Sequence, residues 1–124
     1  MEFFQSYVSG EDNYVDHYGD FVKPYYNWAG GATKKQIEEE HKRYLRAYDV
    51  SELELLLVTT LTPSVDYSEG VHEFLLTCRR FRKHRGKDDL TREIVRIGAT
   101  VDLGPTVPTI VGVRTMPMSA PSSQ

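Results

Sequence analysis

The chain has 124 residues, 40 % of them apolar and 27 % charged, with a formal net charge of −3. That length suits one domain with a real core and excludes wholesale disorder. A single cysteine, Cys78, excludes an internal disulfide framework and any zinc site built on several cysteines of one chain. The longest apolar run, Leu55 to Val58, is far shorter than the roughly 20 residues of a membrane-spanning helix.

The first 28 residues hold nine of the fourteen aromatics, from Phe3 to Trp28. Residues 1–22 also hold five acids and no Lys or Arg. Gly10, Gly19 and Pro24 interrupt any long period, so residues 1–31 read as an irregular acidic aromatic arm packed on or near the domain. The acidic start lacks the basic and apolar regions of a secretory signal, which places the expected site of action inside the cell, in cytoplasm or nucleus. Rings at this density seek burial, and Tyr25, Tyr26 and Trp28 are the ones expected to anchor a protein partner or a second copy of the chain.

Thr33 and Gln36 form a capping-box pattern that opens a helix over 33–48. Ile37, His41, Tyr44, Leu45 and Tyr48 share one face of it, and Glu38–Lys42 and Glu39–Arg43 are favourable pairs on the other. The next stretch, residues 51–61, is read as a short buried helix. Ser51 and Glu54 suggest a second capping box, although the Val-Thr-Thr run favours a strand. Asp66 or Ser68 then caps an amphipathic helix over 68–84. Its Val71, Phe74, Leu75, Cys78 and Phe81 fall in one arc at about 100° per residue. From Thr91 the β-branched composition and the Gly104-Pro105 turn signal a C-terminal β-hairpin, with a short helix over 89–97 as the alternative. The polar tail, 117–124, is expected to be disordered. The fold class expected is α+β: two or three helices with a C-terminal β-hairpin and an irregular aromatic N-terminal arm, the core domain spanning 32–116.

The most distinctive feature is a cationic cluster, Arg79, Arg80, Arg82, Lys83, Arg85 and Lys87, with no acid between them. At the end of a projecting helix these six would contact nucleic acid or another polyanion, because close cations repel unless anions sit among them. Such runs also resemble nuclear import signals. The bland alternative is a solvated helix end favoured by its dipole and by Asp88 and Asp89. His17, His41, His72 and His84 show no HExxH spacing, and no nucleotide-binding glycine motif is present. Gly30-Gly31 beside Lys34 and Lys35 reads as a turn. Cys78, in the middle of the expected apolar helical face, reads as a small hydrophobe. The sequence therefore points to a non-enzymatic binding protein with no metal and no cofactor. Its size and segregated charge are those of a small viral or phage accessory protein. The alternative function is an assembly module that uses the arm to form a homo-oligomer.

Overall fold

A computed structural model of the chain describes residues 2–9, 14–61, 70–104 and 107–116. The expected tail, the expected caps Asp66 and Ser68, and Pro105 of the turn lie outside them.

The largest element is a four-stranded antiparallel sheet in the order β3-β4-β5-β6. Its strands are β3 (Tyr48–Thr60), β4 (Val71–His84), β5 (Thr91–Asp102) and β6 (Thr109–Met116). They follow one another along the chain, so each packs beside its sequence neighbour. The strands alternate in the way a sheet covered on one face requires. Leu53 and Leu55 of β3 lie opposite Arg80 and Cys78 of β4, which lie opposite Glu93 and Val95 of β5. Phe74, Leu76, Ile97, Ala99, Val101, Ile110 and Val113 continue this inner face, all buried. Glu52, Glu54, Arg79, Phe81, Arg92 and Ile94 occupy the outer one.

The N-terminal third covers the inner face. It comprises α1 (Glu2–Val8), a 3-10 turn at Tyr14–His17, the two-residue strands β1 (Phe21–Val22) and β2 (Ala32–Thr33), and α2 (Lys34–Arg46). Phe4, Tyr7, Val8, Tyr18, Val22, Ala32 and Ile37 pack into the same core as the inner sheet residues. Each of the larger of these side chains contributes about 1.5–3 kcal/mol by leaving water, and Ala32 less. α2 starts where the sequence places it. The Thr33 side chain accepts from Gln36 N, and the Gln36 side chain accepts from Thr33 N, a complete capping box. Just upstream, Gly31 has φ +93°, and a Cβ there would lie 2.6 Å from the Phe21 ring, so only glycine fits.

The arm also runs along the β6 edge. Gly19, Lys23 and Tyr26 donate backbone hydrogen bonds to the carbonyls of Ile110, Val111 and Val113, and Val113 N returns one to Pro24. These bonds satisfy β6 groups that would otherwise face outward.

The sheet overturns the expected helix-rich class. Residues 71–84 form the second strand and not a helix, with Leu76 and Cys78 facing inward and Leu75, Thr77 and Arg79 outward. On the outer face Leu75 is buried too. The inner Phe74 and Cys78 and the outer Leu75 fall together on one helical arc, so this strand mimics a helix. Residues 51–60 belong to β3, and Ser51 is no helix cap: its hydroxyl donates to Tyr44 Oη at 3.4 Å. The two C-terminal strands are half of the continuous sheet and not a separate hairpin, and the alternative helix over 89–97 gives way to β5.

A candidate binding cavity under the aromatic layer

Between the arm, α2 and the inner face lies a cavity of about 440 Å³. Its walls come from the arm (Tyr7 to Ser9, Tyr14 and Tyr25 to Trp28), from Glu40, His41, Tyr44 and Leu45 on α2, and from all four sheet strands through Ser51, Glu52, Leu53, Arg80, Val95, Ile97 and Thr115. The volume falls within the ordinary range of small-molecule sites, about 300–1,000 Å³. The enclosure is mostly aromatic and aliphatic, with a few polar groups around it.

Its aromatic wall is held edge to face and stacked. Tyr7 stacks on Tyr14 with centroids 5.5 Å apart and meets Tyr18 edge-on at 5.6 Å. Tyr25 lies edge-on to Tyr26 and to Trp28. Tyr26 takes a left-handed backbone, φ 48°, a conformation that costs a tyrosine about 1 kcal/mol or more. Backbone bonds of residues 24–26 with Val113 maintain it. Below this wall, Tyr18 Oη sits 2.5 Å from Tyr7 Oη and 2.8 Å from Tyr14 Oη. Burial pushes the Tyr7, Tyr14 and Tyr18 phenols well above their ordinary range, so all three stay protonated.

From α2, His41 stacks face to face on Tyr14, with centroids 3.9 Å apart and planes 9° from parallel. Partial burial lowers its pKa and favours the neutral imidazole. Neighbouring Glu40 is held by Arg43 at 2.6 Å.

On the sheet side, Arg80 reaches the cavity but its charge is engaged. Its Nε donates to Glu93 Oε1 at 2.8 Å, and its Nη2 forms an ion pair with the same oxygen. Arg82 Nη2 donates to that oxygen at 2.9 Å, while its Nη1 donates to Tyr48 Oη at 2.9 Å. The hydrogen bond from Arg80, helped by both guanidinium charges, holds the Glu93 carboxyl below its usual range.

The cationic cluster is thus distributed by the strand and not gathered at a helix end. Arg80 and Arg82 face inward and share Glu93. Arg79 faces outward and pairs with Glu54 at 3.0 Å. Arg85, past the end of β4, lies 3.6 Å from Asp49 and donates to the Arg46 carbonyl at 2.7 Å. Lys83 lies opposite Val50 on the outer face, and Lys87 is exposed beyond the strand. The neutralising acids are Glu54, Glu93 and Asp49, brought in from other strands, and not the adjacent Asp88 and Asp89.

Tyr25, Tyr26 and Trp28, expected on a partner surface, are three walls of the cavity; Tyr25 is buried, Tyr26 half-buried and Trp28 more exposed. Sequence reasoning did not find Tyr7, Tyr14, His41 and Tyr44 as lining residues. The available signal was an α2 face carrying His41 and Tyr44 where a plain core helix would carry leucine. Cys78 is buried on the inner face and burial pushes its thiol up to about 11, so it acts as a hydrophobe. Among the described residues no group of three or more His, Cys, Asp or Glu is placed to hold a metal ion, and no helix is long and apolar enough to cross a membrane.

No family model matches the chain, and no curated protein does. Two solved structures share its architecture. One is the beta subunit of the benzoate 1,2-dioxygenase from Burkholderia mallei, with TM-score 0.55 and 13 % identity over 84 % of this chain and 74 % of that one. The other, Rd1NTF2_04 with long sheet, gives TM-score 0.53 and 12 % identity over 93 % of this chain and 94 % of that one. At such identities the likeness to these NTF2-like neighbours concerns the fold alone: one antiparallel sheet whose inner face is roofed by helices and a folded arm.

Proposed function

We propose that the chain is a binding domain that encloses a small, largely apolar aromatic molecule between its aromatic arm and its sheet. The observation that carries this reading is the cavity itself: about 440 Å³ walled by Tyr7, Tyr14, Tyr25, Tyr26, Trp28 and Tyr44 in a chain of this size. A small domain gains most by filling its core, because surface dominates its volume. Rings arranged around a space leave that gain unrealised until a ligand supplies the missing contacts.

The role is binding and not catalysis. The one imidazole on the wall is stacked on Tyr14, the Glu40 and nearby Glu93 carboxylates are engaged by Arg43 and Arg80, and the other wall carboxylate, Glu52, is exposed. Polyanion contact by Arg79 to Lys87 has weaker support, because Arg79, Arg80, Arg82 and Arg85 have acidic partners of their own.

Trp28 is the only tryptophan and lies on the wall, so its emission reports occupancy. Titration with 2-ethylnaphthalene, followed by calorimetry, is expected to saturate in the micromolar range. Leu53→Trp, which projects a larger ring into the space, is expected to abolish it while the domain stays folded. No saturable binding to the wild type up to about 1 mM, where the binding free energy is only about 4 kcal/mol, rejects the reading.

A further inference from the structure

The floor of the cavity crosses the whole sheet. Leu53 of β3, Arg80 of β4, Val95 and Ile97 of β5 and Thr115 of β6 line it in turn. Register gives the direction. Leu53 lies opposite Arg80, whereas Thr115 lies opposite Ile97, which lies opposite Leu76. Arg80 and Leu76 are four residues apart on β4, so the floor runs diagonally. Three strand spacings carry it about 14 Å sideways and four residues carry it about 13 Å along the strands, a diagonal of about 19 Å. A sphere of 440 Å³ would be only about 9 Å across and could not touch Leu53 and Thr115 together. The space is therefore long and narrow.

Its ends differ from its middle. In the roof, Tyr7 and Tyr25 are buried. At the β3 end, by contrast, Ser9, Leu45 and Glu52 are exposed, and at the β6 end so are Asn27, Trp28 and Thr115. Separate contacts set the two ends: α1 and α2 both pack on β3, and Tyr26 N donates to the Val113 carbonyl of β6. An apolar middle between two wet ends selects the shape and polarity of an occupant. A bent guest leaves part of the length unfilled and forfeits its contacts there. A polar group in the middle would lose its water, whereas one at either end keeps it.

We infer that the cavity is a trough open at both edges of the sheet, and that it takes a rod-shaped aromatic molecule lying across the four strands with a polar group in water at each end. The inference rests on the cavity being a binding site as proposed above, and deepens that reading by assigning the shape of the ligand and the place of its polar groups.

The test uses three probes, followed by calorimetry. The first is trans-stilbene with one para position carrying a short ethylene glycol chain, slender enough to be drawn through the trough. The second is trans-stilbene with such a chain at both para positions, and the third is the cis isomer of the second. The singly substituted rod is expected to bind the wild type saturably, and the doubly substituted rod to bind within about threefold of it. A pocket with one mouth would instead bury the second chain, at a cost of about thirtyfold or more. The cis isomer is expected to bind about tenfold or more weakly than its trans partner, through the contacts that a bent shape forfeits. Thr115→Trp places a large ring at the β6 end. It is expected to weaken the doubly substituted rod about tenfold or more and to leave the singly substituted one, whose bare ring can occupy that end, within about threefold. Retained binding of the singly substituted rod shows that the cavity still forms in the variant.

Loss of the doubly substituted rod while the singly substituted one binds overturns the inference and spares the cavity. So does equal affinity of the cis and trans isomers, or binding of the doubly substituted rod that Thr115→Trp leaves unchanged. Failure of the singly substituted rod to bind the wild type overturns the cavity reading instead.

Discussion

Single residues in this protein do work that their type alone does not announce. His41 is the clearest case. Its ring is the lower face of a stack with Tyr14, and partial burial lowers its pKa. The folded state thus resists protonation of His41 more than the unfolded chain does. Between the depressed folded value and the ordinary value of about 6.5, the unfolded state binds more protons, so stability rises with pH there. The penalty is full below the folded pKa and absent above the unfolded one. Urea denaturation at a series of pH values is expected to show stability falling as pH drops through the sixes. His41→Phe keeps a ring against Tyr14 and removes the titration, so it should flatten that slope. An unchanged slope would assign the pH dependence to other groups.

At the scale of the element, β4 shows how a strand distributes charge. Six cations in nine residues look like one patch when written in a line, yet alternation sends Arg80 and Arg82 inward and Arg79 outward. Register then supplies the partners. Glu93 on β5 lies opposite Arg80 and serves both inward guanidiniums, and Glu54 on β3 lies opposite Arg79. Glu93→Ala would leave Arg80 and Arg82 side by side without their shared anion. It is expected to destabilise the domain by about 1 kcal/mol once solvent screening is allowed for, readable as a lowered urea midpoint. The pH signature has the opposite origin to that of His41. Glu93 has a depressed folded pKa, so its contribution is present above the ordinary carboxylate value and is lost as pH falls through the folded one. The variant should therefore differ most from wild type near neutrality and converge with it in acid.

The same strand marks the boundary of what could be read from the residues. α2 was legible because its determinants are local: Thr33 and Gln36 cap each other, although Arg43 pairs with Glu40 and not with the expected Glu39. β4 was not, because burial of Leu75 on the outer face puts apolar groups at 74, 75 and 78. A period of two is then indistinguishable from an arc. In β3 the alternation Ser51, Leu53, Leu55 against Glu52 and Glu54 was present in the letters. A coincidental capping pattern competed with it. The cavity had no local signature, since it is a space between the arm, α2 and the four strands, and its walls acquire meaning only when they meet.

For the whole molecule, the arm is the part that decides whether there is a domain. Phe4, Tyr7, Val8, Tyr18 and Val22 are five of the most buried side chains, and all lie in the first 22 residues. At about 1.5–3 kcal/mol each, their removal costs an amount comparable to the entire stability of an ordinary domain, about 5–15 kcal/mol. Deletion of residues 1–22 is therefore expected to abolish cooperative unfolding, seen as loss of the near-ultraviolet dichroism and of a sigmoidal thermal transition. A truncated chain that still melts sharply would show that the sheet and α2 suffice. The arm was expected to be irregular; it folds instead into α1, a 3-10 turn and β1, and it completes the core and walls the cavity.

The backbone bonds from Gly19, Lys23 and Tyr26 to β6 give that arm a second consequence. The segment that roofs the space for a guest also occupies the hydrogen-bonding rim that another chain would need in order to extend the sheet. If the arm lifts, the host loses its lodging and offers a template for stacking in the same event. Receptivity toward a small molecule and reticence toward other copies of itself are therefore one property. A guest that holds the arm down would act as a solubility factor for its own receptor.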